Sequence, residues 1–338
     1  MLKTICLIGG LINMSAQVLD CKVVAQAISD ECKAAAEELK AKGITPKLGI
    51  VRVGEKGPDL SYEKGATRTM NEAGIEVEVF ALPADISQED YITKMKELNA
   101  DPAIHGILAF RPLDNIDENA AIGEILNPLK DVDACTAANM GKLVVGDPTG
   151  LYPCTAAAIV EVINYYADQI KATVRPNYEP LPLAKPGQED DVACGLDVCI
   201  INNSNVIGKP ASMLLTNRFA TVSIVHHLTH AEKKLMYTQG ADVVIAATPF
   251  KDSVTADMIK EGAIVIDAAV VREKAFDENG EPIINEKTGK QKINTFGCCS
   301  KDVEEKASWK TPVPGVGSIT SAMLAKNLIK ACRVQNGL

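Results

Sequence analysis

The polar run Asn202-Asn-Ser-Asn205, followed by Gly208-Lys-Pro210, stands between an apolar β-branched stretch, Asp197 to Ile201, and a helical one, Ala211 to Asn217. A strand that breaks on such a turn and feeds a helix aims the first backbone N–H groups of that helix at an anion, most often a phosphate. Pro210 suits the first helical turn, where its missing N–H costs nothing. The turn lacks the G-x-G-x-x-G pattern, and an ordinary strand-to-helix connection in an α/β protein reads the same way. His226, His227 and His230 are the next groups able to do chemistry, as metal ligands or as ribose neighbours. No Cys, Asp or Glu cluster accompanies them, so the reading is loop residues or ribose neighbours, and no metal is expected.

These groups need a scaffold, and the surrounding pattern supplies one. Thr221 to His227, Ala241 to Thr248 and Gly262 to Val270 read as further strands, separated by helical stretches over 211–218, 231–239 and 256–261. Alternating strands and helices imply a parallel, doubly wound sheet. Such sheets bind ligands outside the carboxyl ends of their strands. The expectation is a Rossmann-like dinucleotide domain with an atypical first turn.

The chain has 338 residues, too many for one small core, so two domains are expected. The first half is also α/β. It reads as a helix over 18–42, strands over 46–53, 75–82 and 105–110, and helices over 60–73, 88–98 and 118–126. Ser87 and Gly74 serve as caps. Pro153-Cys-Thr155 opens a helix over 156–166 that bridges the domains. Residues 174–191 read as a surface insertion, 276–292 as an excursion with hairpin-like turns, and 321–332 as a closing helix.

A hydrophobic fraction of 46% describes a globular chain, and a net charge of -9 with no basic stripe excludes a nucleic-acid binder. Ten cysteines occur without a C-x-x-C pair, so neither a structural zinc site nor a redox motif is indicated, and reduced thiols in a cytoplasm are expected. Met1 to Asn13 imitates a signal peptide but lacks a cleavage pattern, and it is too short to span a bilayer; no membrane partner is expected.

Four signatures share one order along the chain: Lys130-Asp-Val-Asp133, Pro153-Cys-Thr155, Ser204 with Gly208-Lys-Pro210, and Thr311-Pro-Val-Pro-Gly315. Together they make the sequence resemble the methylenetetrahydrofolate dehydrogenase/cyclohydrolases from Ala16 onward. The resemblance implies a folate domain over 14–155 completed by a C-terminal helix over 318–338, a dinucleotide domain over 156–317, a folate cleft between them, and a homodimer.

Residue by residue, the resemblance implies that Tyr62 stacks on the folate and Asp133 anchors the pterin. Pro312, Pro314 and Gly315 would line the cleft. Asn203, Ser204, Ile207, Gly208 and His227 would meet the cofactor, with Thr155, Ala247, Thr248 and Ala269 near its nicotinamide side. Two departures shape the expected activity. Where the family pairs a Tyr with a Lys four residues on, this chain has Ala66, and where it has a Gln in the strand before the cleft turn, this chain has Phe110. Neither can accept a proton, and opening a methenyl cation with water needs an acceptor. The expectation is therefore an NAD-dependent methylenetetrahydrofolate dehydrogenase without cyclohydrolase activity. The alternative is the bifunctional NADP enzyme with a rearranged general base, or a folate-binding protein without catalysis. NAD is preferred to NADP because Asn203 stands where many NADP-dependent members carry an Arg that pairs with the 2′-phosphate.

Overall fold

The computed structural model describes residues 15–174, 176, 190–286 and 289–338. The first thirteen residues and most of the insertion expected over 174–191 lie outside them. After a short strand β1 (Gln17–Val18), helix α1 (Cys21–Ala41) begins at Asp20, whose side chain accepts from Lys22 N and so caps the helix. Strands β2 (Lys47–Val53), β3 (Glu76–Leu82) and β4 (Gly106–Ala109) alternate with helices α2 (Gly57–Glu72) and α3 (Gln88–Ala100). The strands pair in parallel in the order β3-β2-β4. The central strand β2 is buried on both faces over Leu48 to Val51, which is why it reads as a continuous apolar run.

The chain then passes through α4 (Ala137–Val144), α5 (Cys154–Tyr165) and α6 (Ala167–Val174) into a second sheet. Its elements are β5 (Asp197–Ile201), α7 (Gly208–Thr216), β6 (Thr221–Val225), α8 (Ala231–Gly240), β7 (Val243–Ala246) and β8 (Ile264–Asp267). An antiparallel pair, β9 (Val271–Lys274) and β10 (Ile293–Phe296), projects from it, so the excursion over 276–292 is hairpin-like at its base. The chain closes with α9 (Val303–Lys306), β11 (Trp309–Lys310) and α10 (Val316–Gln335). The second sheet is parallel throughout, in the order β1-β11-β8-β7-β5-β6. It therefore takes in one strand from each end of the chain, β1 and β11, that the periodicity did not reveal. No helix among the described residues is long and apolar enough to cross a membrane.

Helix α10 packs against α1, α5 and β4. Its polar contacts are specific: Asn327 Nδ2 donates to Val132 O at 2.8 Å and to Tyr152 O at 2.9 Å, and Gln335 Nε2 donates to His105 O at 2.7 Å. Gly106 makes this approach possible, since a Cβ there would stand 2.4 Å from Val132 Cγ1 and 2.6 Å from Leu328 Cδ1.

Two expected helices shrink to single turns. Over 118–126 there is a π-helical turn at Asn119–Gly123, because Glu118 is diverted to accept from Leu113 N and Asp117 Oδ1 accepts from Asn119 N and Ala120 N. Over 256–261 a 3-10 turn, Ala256–Met258, ends as Ile259 goes extended and buried toward β8. Helix α4 was missed, although Thr136 caps it by accepting from Asn139 N.

Candidate active site in the cleft between the two sheets

The first half of the site is built by β4 and the segment after it. Ile107 N donates to Lys130 O at 2.7 Å, which lays 130–133 alongside β4. Lys130 reaches inward to Leu98 O and Asp101 O. Asp131 is fully buried, and its carboxylate accepts from Cys135 N, Thr136 N, Thr136 Oγ1 and Asn139 Nδ2, at 2.7 to 3.0 Å. These two residues of the Lys130-Asp-Val-Asp133 signature are clamps, and they leave Asp133 as the carboxylate that faces the cleft.

Asp133 keeps 31% of its side chain open and lies 3.3 Å from Arg111 Nη2. Crowding by protein raises its carboxyl to about 6, with the nearby Arg111 guanidinium pulling the other way and Asp131 adding to the rise. An acid so placed is ionised at neutral pH yet basic enough to take a proton. Beside it, Cys154 is buried, donates to Val132 O, and has its thiol pushed up by that burial.

Tyr62 sits on α2, which is pinned over β2 by Arg52 Nε to Glu63 Oε2 at 2.7 Å. Its ring lies 5.2 Å from the Phe110 ring, tilted by 39°, and keeps 41% of its surface exposed. The phenol is pushed up by desolvation and by the Asp133 charge, so it stays protonated and can donate. Ala66 lies fully buried beneath the helix, while Lys64 faces solvent.

A cleft of roughly 600 Å³ is lined by Arg111, Asp133, Cys135 and Met140 on one side and by Asn205 and Val206 on the other. An adjoining recess of roughly 330 Å³ holds Tyr62, Phe110 and Glu118, and shares Arg111 and Val206 with it. The structure thus brings Tyr62 and Asp133 together with the turn after β5.

That turn is organised by Asn202, the first residue of the polar run. Its Oδ1 accepts from Ser204 N, Ser204 Oγ and Gly208 N at 2.8 to 3.0 Å, and its Nδ2 donates to Ala247 O at 2.7 Å. The last bond spans the ends of β5 and β7. The chain leaves β5 for β6 on one side and reaches β7 on the other, so this is the topological switch point of the sheet, where nucleotides bind. Gly208 is obligatory, because a Cβ there would meet Asn202 O at 1.9 Å. The N–H groups of Gly208 and Lys209 are spent on Asn202 Oδ1 and Ser204 O, so the turn's own oxygens fill much of the expected anion cradle. Ile207, half-buried, donates its N–H to Ser204 Oγ.

The remaining candidates are spread more widely. Ala247 and Thr248 follow β7 directly, with the Thr248 hydroxyl bonded to Ser253 Oγ. Ala269 is buried, and its N–H donates to Asp267 Oδ1 at 3.2 Å. Thr155 is half-buried at the start of α5. Asn203 and His227 are exposed. Pro312 faces a different cavity, together with Asp267 and Cys299, and Pro314 is exposed. Gly315 begins α10 so close to Pro312 O that a Cβ would stand 2.3 Å from it. The Asn202 bond to Ala247 O joins the segments after β5 and β7 at the switch point.

Two family models match the chain: the tetrahydrofolate dehydrogenase/cyclohydrolase catalytic domain over 19–133 and the NAD(P)-binding domain of the same family over 187–336. The "Bifunctional protein FolD" of Alkaliphilus metalliredigens (strain QYMF) is 38% identical over 95% of this chain and 99% of its own. The bifunctional FolD methylenetetrahydrofolate dehydrogenase/cyclohydrolase of Campylobacter jejuni superposes with a TM-score of 0.78 at 30% identity, covering 96% of this chain and 100% of that one. The dehydrogenase-cyclohydrolase of Trypanosoma brucei, solved with NADP cofactor and inhibitor, gives 0.79 at 26% identity, covering 96% and 99%.

These relatives correct two expectations. NAD-dependent oxidation without ring opening is overturned by full-length relatives named as bifunctional. The inference from Ala66 and Phe110 looked for a proton acceptor at two fixed positions, whereas Arg111 and Asp133 put an ionisable pair in the same cleft. NAD as the cofactor is overturned by the NADP-bound relative. An amide at Asn203 removes one attraction for the 2′-phosphate, but His226 and His227 at the end of β6 leave no carboxylate there to repel it. With both halves matched and the two sheets superposing on solved relatives, the chain belongs to the tetrahydrofolate dehydrogenase/cyclohydrolase family.

Proposed function

We propose that the chain oxidises 5,10-methylenetetrahydrofolate to the methenyl form with NADP as the hydride acceptor, and hydrolyses the methenyl product to 10-formyltetrahydrofolate in the same cleft. The observation that carries this reading is that Arg111 and Asp133 share a cleft with Asn205 and Val206 of the dinucleotide turn. A folate held on the first pair lies against a dinucleotide held on the second. Under this reading residues 14–155 with 318–338 hold the folate, and 156–317 hold the dinucleotide.

When bound, the nicotinamide supplies the hydride acceptor. The chain supplies alignment. Tyr62, backed by the buried Phe110, offers an aromatic face for the fused ring. Ser204, Ile207 and Gly208 shape the turn against which the phosphate side of the cofactor lies, Asn203 and His227 face its ribose side, and Thr155, Ala247, Thr248 and Ala269 its nicotinamide side. For ring opening, the Asp133 carboxylate takes the proton from the attacking water, and Arg111 keeps that carboxylate ionised. The companion role of Asp133, anchoring the pterin edge, separates from this one in Asp133→Asn: a lost anchor raises KM in both reactions, and a lost base lowers kcat for ring opening alone.

The test is a steady-state assay of methylenetetrahydrofolate oxidation with NADP and NAD side by side, plus a separate ring-opening assay on the methenyl compound. Expected are a higher kcat/KM with NADP and enzyme-dependent opening above the buffer rate. Opening no faster than buffer sinks the bifunctional reading. The homodimer implied by the resemblance is proposed with it. The exposed Phe219, Ile224 and Leu228 along the β6 edge are consistent with a partner, and light scattering tests it.

A further inference from the structure

Behind the cleft loop, three metal-ligating side chains converge that the proposed reactions do not use. Asp267 ends β8 and is 1% exposed, Cys298 is fully buried, and Cys299 is half-buried. One ligand atom from each lies within 4.8 Å of the other two. The main chain turns the carboxylate toward the thiols: Asp267 Oδ1 accepts from Ala269 N and Cys298 N, and Oδ2 accepts from Cys299 N at 3.0 Å. Gly297 lets this segment pass over Asp267, since a Cβ there would stand 2.0 Å from Oδ2 and 2.8 Å from Val313 Cγ2.

Cys298 Sγ lies 3.4 Å from Asp267 Oδ1. With zinc–sulfur and zinc–oxygen bonds of about 2.3 and 2.0 Å, the sulfur–oxygen edge of a tetrahedral site is about 3.5 Å. Asp267 and Cys299 also border a cavity of roughly 360 Å³, which leaves a fourth position open to water or a small ligand. Lys310 and Glu304, paired at 3.1 Å, border the same cavity. We propose that Asp267, Cys298 and Cys299 form a binding site for a thiophilic divalent cation of the zinc class. Binding exchanges two thiol protons for one cation, releasing both to solvent. The sequence shows the adjacent thiols Cys298-Cys299 but not their carboxylate partner, which comes from β8, 31 residues from Cys298.

This inference is independent of the folate reading, and its test does not use activity. The reduced, metal-free full chain is titrated with Co²⁺. Expected are one equivalent bound, thiolate-to-cobalt charge-transfer absorption, tetrahedral d–d bands, and bleaching on addition of Zn²⁺. Cys299→Ser should lower the charge-transfer intensity by about half and weaken binding at least tenfold, while Cys332→Ser, on α10, leaves both unchanged. Absence of charge-transfer bands in the wild type, or bands in Cys298→Ser and Cys299→Ser as strong as in the wild type, overturns the proposal. Where those variants do not fold, X-ray absorption of the zinc-loaded wild type decides: two sulfur ligands with oxygen or nitrogen support the site, and none or four overturn it.

Discussion

Arg111 Nη2 stands 3.3 Å from Asp133 Oδ2, bridging the strand end after β4 to the segment clamped by Asp131. The guanidinium lowers the proton affinity of a carboxylate that its surroundings raise, and the balance leaves the acid at about 6. That value makes Asp133 a usable proton acceptor at neutral pH and ties both activity and stability to pH.

Ring opening should fall below pH about 6, by up to tenfold per unit, as Asp133 takes up its proton. The hydride step, which needs no proton acceptor, should fall less. The sign for stability is opposite to that of an ordinary ion-paired Asp. The folded value lies above the unfolded one, so the group favours the native state at low pH, and that contribution is lost as pH rises through about 6. Asp133→Asn should therefore gain about 1–2 kcal/mol at pH 7.5 while losing ring opening, and the gain should shrink toward pH 4. Thermal melts at the two pH values, alongside the pH profile, check both.

Removing the guanidinium should move the same limb. In Arg111→Met the carboxylate loses its counter-charge, and the acidic limb of ring opening should shift upward by about one pH unit. An unmoved limb with a uniformly lower rate would mean that Arg111 acts by contact with substrate instead.

Installing the lysine absent from the Tyr62 helix should not create a better enzyme. Ala66 is fully buried against the core, so Ala66→Lys forces an ammonium into an apolar site or breaks the packing of α2. We expect a loss of about 3–5 kcal/mol in a denaturant melt and no gain in ring opening. A stable, faster variant would show that the helix can turn this position toward the cleft.

How much of this was legible before the structure depended on the range of the interactions. The strands β5 to β8 announce themselves as apolar β-branched runs because a parallel sheet buries both faces. Asp133 stands out through the Lys130-Asp-Val-Asp133 signature, and Tyr62 through the Tyr-to-Lys spacing that ends on Ala66. The roles of Arg111, Asn202 and Asp267 do not. Each matters through partners far along the chain: Asp133, Ala247, and the Cys298-Cys299 pair. No local period encodes such meetings. The expected helix over 118–126 is shortened by side-chain contacts: Asp117 accepts from Asn119 N and Ala120 N, and Glu118 turns back to accept from Leu113 N.

Asn202→Ala should disable the dinucleotide turn with little change in the folate half. It removes the acceptor of three bonds and the bridge to Ala247 O. Leaving the Gly208 N–H and the Ala247 carbonyl unpaired costs about 1–3 kcal/mol each. We expect cofactor KM to rise at least tenfold while folate affinity, followed by fluorescence quenching, changes by less than about threefold.

The last expectation concerns the 2′-phosphate. His226 Nδ1 accepts from Leu228 N at 3.2 Å, so its proton lies on Nε2, which is left as a donor, and the His227 ring packs edge-on against it at 5.9 Å. Both follow β6, the position from which a sheet of this topology meets the adenosine ribose. An imidazole carries no negative charge, and a protonated one attracts the phosphate. Placing a carboxylate there adds a repulsion that NADP feels and NAD does not. In His227→Asp, kcat/KM for NADP should fall at least tenfold, about 1.4 kcal/mol, with NAD unchanged or improved. The fall should lessen at high salt, because His227 is exposed and its field is screened. Equal losses with both cofactors would place the ribose elsewhere and remove the physical basis for reading NADP from this strand end.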